Sequence, residues 1–455
     1  MKNLDFAQNK AFALACFMAV FTTLLLTSCR DRTSWPGIPF EPYWVDAPSE
    51  YSLGILTGPT PFDLTGSANH IDNPVLTAAD VPDIATAFLA DPFLFNQNNR
   101  WYMFYELLRA SPRRGIIGWA ESNDGFNWQH MGVSIEEPFH LSYPLVFEFD
   151  GIIYMLLESN EAGHVRLYEA ATFPSEWKLA SKLFDGRYTD PTIIRHDDRW
   201  WIFASDLANL NLYLFHSENL LDGWREHPLS PVVRGDILRA RPGGRMMHYD
   251  GRLWRFAQNC FPRYGTDIRH YEITRLTTTE YEERDGGSTP LIQAGMFPWA
   301  KLGMHHVDHQ PFESGDDRWL VAVDGNTPAQ PEVPLEIRFA DGSMLLGATC
   351  RPKFIAPGET MLLRFYWKNL APGRRPAAFV HFRNSDGIVF QADHQLDGRR
   401  DWYDLFVTIP EHVTEGALEI HLGLHQDGKR IAARSPYPQT RNAVALPLSV
   451  NIKYP

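Results

Sequence analysis

The chain has 455 residues, which is too many for one ordinary hydrophobic core, so at least two domains are expected. Aromatic residues make up 13% of the chain and charged residues 21%, a composition typical of a globular all-β protein rather than of a disordered one. The formal net charge of −13 argues against a nucleic-acid partner, because an acidic surface repels the phosphate backbone, whereas a neutral glycan remains compatible.

The first residues predict an export signal. Lys2 and Lys10 precede an uncharged run that ends in Leu-Thr-Ser-Cys, which is similar to the lipobox of bacterial lipoproteins. We therefore expect residues 1–28 to be a lipoprotein signal peptide, Cys29 to be lipidated, and residues 29–49 to form a tether. A retained transmembrane anchor is the alternative. Either way the body is exported and held at a membrane, on its periplasmic face or at the cell surface.

Two cysteines follow the export segment, Cys260 and Cys350. A disulfide between them would have to bridge two predicted domains. We therefore expect two ordinary buried thiols.

One pattern recurs five times between residues 50 and 326: a strand, a tight polar turn and an aromatic-rich strand. Asn-Asn, Asp-Gly and Asp-Asp fit two-residue hairpin turns because these residues tolerate positive φ. The spacing of about 50 to 65 residues is roughly that of propeller blades. We therefore predict an all-β fold whose first domain, residues 50–326, is a five-bladed β-propeller closed by the strand Tyr51–Thr57. The hairpins are residues 91–106, 143–158, 190–205, 243–258 and 309–324.

After residue 326 the pattern of predicted strands and turns changes. Residues 327–334 are rich in proline and predict a linker. Beyond them, short partly alternating strands separated by Gly and Asp turns predict a β-sandwich accessory domain over residues 335–455. Its pattern fits a glycan-binding module and a simple spacer equally well.

The two ends of each predicted hairpin should lie together at one mouth of the propeller. Five of the ten residues at these ends are carboxylates, and they come from four blades. Glycoside hydrolysis uses such a set, because one carboxylic acid protonates the leaving oxygen while a carboxylate activates water or attacks the sugar. The ten residues are Asp91, Glu106, Tyr143, Glu158, Asp190, Ser205, Gly243, Gln258, His309 and Asp324.

Two Asp-Pro pairs carry a resemblance to known enzymes. Ala-Asp-Pro-Phe at 90–93 and Asp-Pro at 190–191 resemble the openings of blades one and three in the five-bladed propeller glycosidases of families 43, 62, 32 and 68. That resemblance implies a base or nucleophile at Asp91 and a residue supporting the acid at Asp190. It departs in blade four, where those enzymes take their acid Glu and this chain has Gln258 and Asn259.

A closer resemblance covers residues 50–326. ADPFLF (90–95), WYMFYE (101–106), ARPGGR (240–245) and GMHH (303–306) are similar to the propeller domain found beside the glycosyltransferase in plant glucosamine inositolphosphorylceramide transferase and in its bacterial relatives. This resemblance implies the propeller fold and leaves the activity open.

These patterns predict a glycoside hydrolase that needs no cofactor and acts on a carbohydrate. Asp91 is assigned as base, Glu158 as acid and Asp190 as the group that tunes the pKa of the acid, with inversion as the expected outcome. Glu106 is the reserve acid. A non-catalytic glycan-binding propeller and a cell-surface assembly or docking protein are the alternatives. The residues predicted to bind substrate are Glu106, Tyr143, Arg241, Gln258, Tyr264 and His305.

The histidine-rich segment 305–309 is the one candidate for metal ligation. On a strand, His305 and His309 would share one face while His306 and Asp308 take the other. We therefore expect substrate hydrogen bonding or strand packing there, and no metal.

Overall fold

The computed structural model describes residues 48–65, 71–314, 317–370, 376–396 and 400–454. The predicted export segment, with Cys29, lies outside these residues. Within them, regular structure is strand except for two single-turn 3-10 helices, Ala78–Asp80 and Asn160–Ala162, so the predicted all-β class is confirmed. No helix in these ranges is long and apolar enough to cross a membrane.

Five antiparallel sheets cover residues 49–328, one for each predicted hairpin. The first strand, β1 (Ser49–Gly58), belongs to the fifth sheet, and the other sheets consist of consecutive strands. The first sheet contains β2 (Thr86–Gln97), β3 (Arg100–Arg109), β4 (Arg114–Ser122) and β5 (Gln129–Ile135). The second contains β6 (Ser142–Phe149), β7 (Ile152–Glu158), β8 (His164–Thr172) and β9 (Glu176–Asp185). The third contains β10 (Thr189–His196), β11 (Arg199–Ser205), β12 (Leu212–Ser217) and β13 (Arg225–Glu226). The fourth contains β14 (Arg241–Pro242), β15 (Met247–Tyr249), β16 (Arg252–Asn259), β17 (Asp267–Leu276), β18 (Tyr281–Asp285) and β19 (Ile292–Gln293). The fifth is completed by β20 (Val307–Ser314) and β21 (Asp317–Pro328).

The five sheets contact one another in cyclic order, as the blades of a propeller do. Strand β2 contacts β6, β7 contacts β10, and β10 contacts β14. Gly244 of the fourth sheet bridges to Val307 of the fifth, and β1 contacts β2 to complete the circle. Strand β1 pairs with β21 along its whole length, from Ser49 opposite Pro328 to Gly58 opposite Trp319. The first described strand therefore closes the ring.

The turns of the first four hairpins have the predicted geometry. Each is a two-residue connection in which both residues have positive φ, as a type I′ turn requires. The paired residues are Asn98 and Asn99, Asp150 and Gly151, Asp197 and Asp198, and Asp250 and Gly251.

The fifth hairpin departs from the other four. Its register shifts between Pro311 and Ser314, so that His309 lies opposite Val321. The placement of His309 at the mouth is therefore wrong: its ring is buried, stacks on Phe256 and contacts the Pro61 carbonyl at 3.0 Å. The residues at the mouth end of this hairpin are instead His305 and His306, just before β20.

Residues 333–452 form two further sheets that enclose one hydrophobic core. The first consists of β22 (Val333–Phe339), β23 (Met344–Arg351), β25 (Thr360–Lys368), β29 (Trp402–Thr408) and β32 (Ala433–Arg434). The second consists of β24 (Phe354–Ile355), β26 (Ala377–Asn384), β27 (Gly387–Gln391), β28 (His394–Gln395), β30 (Gly416–Gln426), β31 (Lys429–Ile431), β33 (Gln439–Thr440) and β34 (Ala443–Ile452). The predicted linker, 327–334, comprises the end of β21, four residues and the start of β22. Cys260 and Cys350 are both free and buried, as predicted.

A buried ion cluster joins these two regions. Glu50 of β1 accepts from Arg351 at 3.1 Å and from Arg364 at 2.8 Å, and each of the three side chains is at most 14% exposed. Arg351 also contacts Glu332 at 2.6 Å. Leu362 packs against a small apolar cluster of the first sheet. The strand that closes the ring is therefore also a strand that contacts the C-terminal sheets.

Candidate active site

Three successive sheets place a residue at their mouth ends in the same unusual backbone conformation. Asp91, Tyr143 and Asp190 have φ of 53°, 52° and 48°, and each is followed by proline. At each of these positions the strand carries a bulge, which interrupts the pairing with the second strand. The left-handed region costs a residue with a β-carbon about 1–3 kcal/mol. Strain repeated three times around one opening indicates a site whose side-chain directions matter.

Four carboxylates converge at this opening. Asp91 and Asp190 come from the bulges, and Glu106 and Glu158 come from the ends of β3 and β7. Each is at most 7% exposed. The backbone N–H of Asp190 donates to Glu158 at 3.0 Å, which joins the second and third sheets. Burial of several acids so close together is costly unless some are protonated or paired with cations.

Asp190 is the paired member of the set. Arg241 donates to its two oxygens at 2.6 and 3.1 Å, and Gln258 donates to it at 2.6 Å. Burial raises the pKa of Asp190, whereas the guanidinium opposes that rise. The same guanidinium lies 3.6 Å from Glu158 and donates to Asn209 at 2.8 Å. Arg241 therefore supplies the positive charge on this side of the opening.

Asp91 has different surroundings. Its Oδ1 is buried and makes no hydrogen bond within the described part of the chain, while Nδ1 of His305 and of His306 each lie 3.9 Å away. Burial raises the pKa of Asp91 to about 7, against the lowering effect of His305. The Asp324 carboxylate lies 2.6 Å from His305 Nδ1, and although burial opposes the charge, Asp324 raises the pKa of His305. Burial lowers the pKa of His306 to about 3, so that ring is neutral.

The two predicted acids differ as well. Burial, together with the charge of Asp91, raises the pKa of Glu106 well above its usual range. Its Oε1 lies 3.4 Å from Nε2 of His140, and burial lowers the pKa of that ring, which favours its neutral form. Glu158 instead accepts from Asn160 at 2.5 Å and from the Asp190 backbone. The environment that keeps a carboxylic acid protonated is therefore at Glu106, the reserve candidate.

Two residues predicted to bind substrate are completely buried. Tyr143 is completely buried, and its hydroxyl group contacts Thr192 and accepts from the Gly244 N–H at 2.6 Å. Its predicted role in substrate binding is therefore wrong, because the bulge directs the ring into the core. Gln258 is also fully buried, and it orients Asp190 rather than a ligand. Tyr264, in contrast, is 43% exposed and lies over Arg241.

Several site residues were not singled out from the sequence as ligands of these carboxylates. His140 and Asn209 lie in loops and Asn160 in a single-turn 3-10 helix, all between strands, and no periodic pattern marks such positions. Glu161 accepts from the His140 backbone N–H at 2.9 Å and so links the loop before β6 to the 3-10 helix after β7. Their proximity to the carboxylates depends on contacts between neighbouring sheets.

One cluster of the described residues could hold a metal ion: Asp91, His305 and Asp324 offer ligand atoms within 4.8 Å of one another. Asp324 is already engaged, since it accepts from the backbone N–H groups of Asp91 and His305 and pairs with the His305 ring. The contacts are explained by an ion pair beside Asp91.

Comparisons with known proteins show what this chain is similar to. The family model described as "Glucosamine inositolphosphorylceramide transferase 1, N-terminal" matches residues 45–326. The glucosamine inositolphosphorylceramide transferase 1 proteins of Oryza sativa subsp. japonica and Arabidopsis thaliana are 35% and 34% identical over 303 residues. These alignments cover 62% of this chain but only 40% and 39% of the relatives, so the chain corresponds to a part of their length.

Solved structures that match the chain include an arabinofuranosidase and an arabinanase. The catalytic domain of the Coprinopsis cinerea GH62 alpha-L-arabinofuranosidase is 14% identical, with a TM-score of 0.40, and the match covers 62% of this chain and 98% of that one. The Bacillus subtilis arabinanase Arb43A is 15% identical, with a TM-score of 0.38 and coverages of 52% and 94%. Because the family model spans more than half of the chain, this protein belongs to the family of the N-terminal region of glucosamine inositolphosphorylceramide transferase 1.

Proposed function

We propose that the mouth of the five-sheet ring is the active site of a glycoside hydrolase. The observation that carries the proposal is that the buried carboxylates Glu106 and Asp91 have different electrostatic surroundings. Glu106 has no cation in hydrogen-bond contact and a pKa well above its usual range, whereas Asp91 lies beside the positive charge of His305. Two acids whose environments separate their protonation states are what acid–base hydrolysis requires.

The chemistry follows from these states. The ionised Asp91 takes a proton from a water molecule as the water oxygen bonds to the anomeric carbon. The glycosidic C–O bond breaks, and Glu106 gives its proton to the leaving oxygen. Asp190, held by Arg241, keeps Glu158 in place through the hydrogen bond that its backbone N–H donates. Membership of a family named for a glucosamine transferase supports a carbohydrate substrate.

The first experiment is a screen of the purified protein against plant and microbial polysaccharides. Product release by the native chain, with a matched loss in Asp91→Asn and Glu106→Gln, is the expected result. Glu158→Gln tests the other predicted acid: a loss equal to that of Glu106→Gln would return the acid role to Glu158. Binding of a glycan without turnover would replace the hydrolase with a binding protein.

We also propose that Cys29 carries lipid and holds the protein at a membrane outside the cytoplasm. The Leu-Thr-Ser-Cys sequence at the end of the apolar run supports this proposal. Labelling cells with a fatty acid should mark the native protein and not Cys29→Ala, and equal labelling of both would refute it.

A further inference from the structure

The rim of the mouth is uneven, and its apolar side lies on the third and fourth sheets. Five large apolar or aromatic side chains there are between 37% and 51% exposed. They occupy three loops at the mouth ends of their strands. We call them the apolar rim: Leu207, Leu210, Leu238, Phe261 and Tyr264.

Hydrogen bonds interlock these three loops around Arg241. Asn209, in the first loop, accepts from Arg241 at 2.8 Å. The Asp236 N–H donates to the Leu210 carbonyl at 2.9 Å, and the Cys260 N–H donates to the Ile237 carbonyl at 3.1 Å. Because Arg241 is also bonded to Asp190, the apolar rim is continuous with the carboxylates of the site.

The apolar rim is rigidly presented. Within the first loop, Asp206 accepts from the Leu210 N–H at 2.9 Å and from the Asn211 side chain at 2.6 Å. In the third, Asn259 accepts from the Phe261 N–H at 2.9 Å. Single exposed apolar side chains are common, but five of them on three hydrogen-bonded loops beside the carboxylates mark a binding surface.

The opposite side of the mouth is polar. There, on the first and second sheets, Glu136 pairs with Arg109 and Arg114, each at 2.9 Å. His140 and Glu161 continue this polar side toward Glu106. A ligand spanning the opening would therefore meet hydrogen-bonding groups at one end and hydrocarbon at the other.

We propose that the site takes a glycoside whose aglycone is apolar, with the aglycone bound on the apolar rim. This inference rests on the proposed function, and it adds the class of substrate. A soluble alkyl or aryl glycoside and a glycolipid in a membrane share this chemistry.

The test measures binding rather than hydrolysis. Hexyl and octyl β-D-glucoside, both below their micelle concentrations, are titrated into the chain from Cys29 onward carrying Asp91→Asn. Each buried methylene group contributes favourable transfer free energy, so we expect octyl glucoside to bind about fivefold to tenfold more tightly than hexyl glucoside. Phe261→Ser and Leu210→Ser should each remove most of that difference.

The matched control is Leu221→Ser. Leu221 is 40% exposed, like the residues of the rim, but it follows Ser217, the end of β12 that lies away from the mouth. It should leave the chain-length difference unchanged. Equal affinity for the two glucosides, or an equal effect of Leu221→Ser and Phe261→Ser, would overturn the inference.

A second arm separates the two sources of ligand. The protein's binding to phosphatidylcholine vesicles is measured with and without monogalactosyldiacylglycerol. Tighter binding to the vesicles that contain it identifies the ligand as a membrane glycolipid, and equal binding identifies it as a soluble glycoside. If no hydrolysis is found but the chain-length effect is, the proposed hydrolase fails and the apolar rim stands. Hydrolysis without a chain-length effect gives the reverse result.

Discussion

Asp91 and Asp190 occupy the same position in two sheets and have opposite surroundings. Both lie in a bulge, precede a proline and have nearly the same φ, and both are at most 5% exposed. Asp190 has both oxygens engaged by Arg241, whereas Oδ1 of Asp91 makes no hydrogen bond to any described residue. The backbone repeats, and the chemistry does not.

The difference comes from the neighbouring sheets. Arg241 and Gln258 reach Asp190 from the fourth sheet, while His305 and Asp324 lie beside Asp91 from the fifth. A propeller thus places similar side chains at equivalent points and gives each a different partner. This comparison makes Asp91 the residue with an uncommitted oxygen and Asp190 the residue that holds the site together.

The largest expected effect is on turnover. Asp91→Asn removes the base with little change in shape, so we expect kcat to fall by about 10²–10⁴-fold with little change in thermal unfolding temperature. Asp197→Asn, in an exposed hairpin turn of the third sheet, is the control and should leave kcat unaltered. Near-native turnover by Asp91→Asn would remove it from the mechanism.

Removing the cation that pairs with Asp190 should lower the free energy of unfolding. Arg241→Met leaves Asp190 and Glu158 buried without their cation, so we expect the free energy of unfolding to fall by about 3–5 kcal/mol. Without Arg241, the folded-state pKa of Asp190 rises further above its unfolded value, so the loss should be smaller at low pH than at high pH.

Urea unfolding at several pH values measures this loss. Arg100→Met removes a half-exposed arginine paired with Glu121 and is the control, with an expected change within about 1 kcal/mol. A loss for Arg241→Met that does not depend on pH would contradict the assignment of the ion pair.

A third prediction concerns pH dependence. With the pKa of Asp91 near 7, activity should rise as pH increases through neutrality, because the base must be ionised. The positive His305 lowers the pKa of Asp91, so His305→Gln should move this acid limb of the kcat/KM profile to higher pH. His309→Gln, which alters a buried histidine against Phe256, should not. An acid limb at the same pH in His305→Gln would show that this charge does not act on the base.

The smallest effect concerns the third bulged position. Tyr143→Phe removes the hydroxyl group that Gly244 donates to, so we expect a loss of about 1–3 kcal/mol in the free energy of unfolding. KM should change less than about twofold, because the buried ring does not reach substrate. A large rise in KM with unchanged stability would restore Tyr143 as a binding residue.

Much of the repeating frame could be predicted from the sequence. The two-residue turns are local, and Asn-Asn, Asp-Gly and Asp-Asp specify them through their tolerance of positive φ. Equal spacing from these turns correctly grouped Asp91, Glu106, Glu158 and Asp190. Equal spacing placed His309 wrongly because the fifth hairpin is irregular: its register shifts near Pro311, and no turn residue in the sequence marks that shift.

The differences among equivalent residues could not be predicted in the same way. Glu106 and Glu158 have the same phase in their hairpins, yet only Glu158 approaches Arg241. Tyr143 and Asp190 lie in equivalent bulges of two sheets, yet only the tyrosine packs into the hydrophobic core. These outcomes depend on contacts between sheets, which a single hairpin sequence does not contain.

The ring closure has a mechanical consequence. Ser49 lies opposite Pro328. If the chain ahead of β1 were pulled away from the C-terminal sheets, the residue pairs of β1 and β21 would separate one at a time, beginning with this pair. Glu50 is the second residue of β1, and its ion pairs with Arg351 and Arg364 hold the strand at the end where separation would begin. The next residue, Tyr51, stacks on His305. The ion cluster therefore stabilises the strand pair at the residue where separation would begin, one position before the tyrosine that packs on His305.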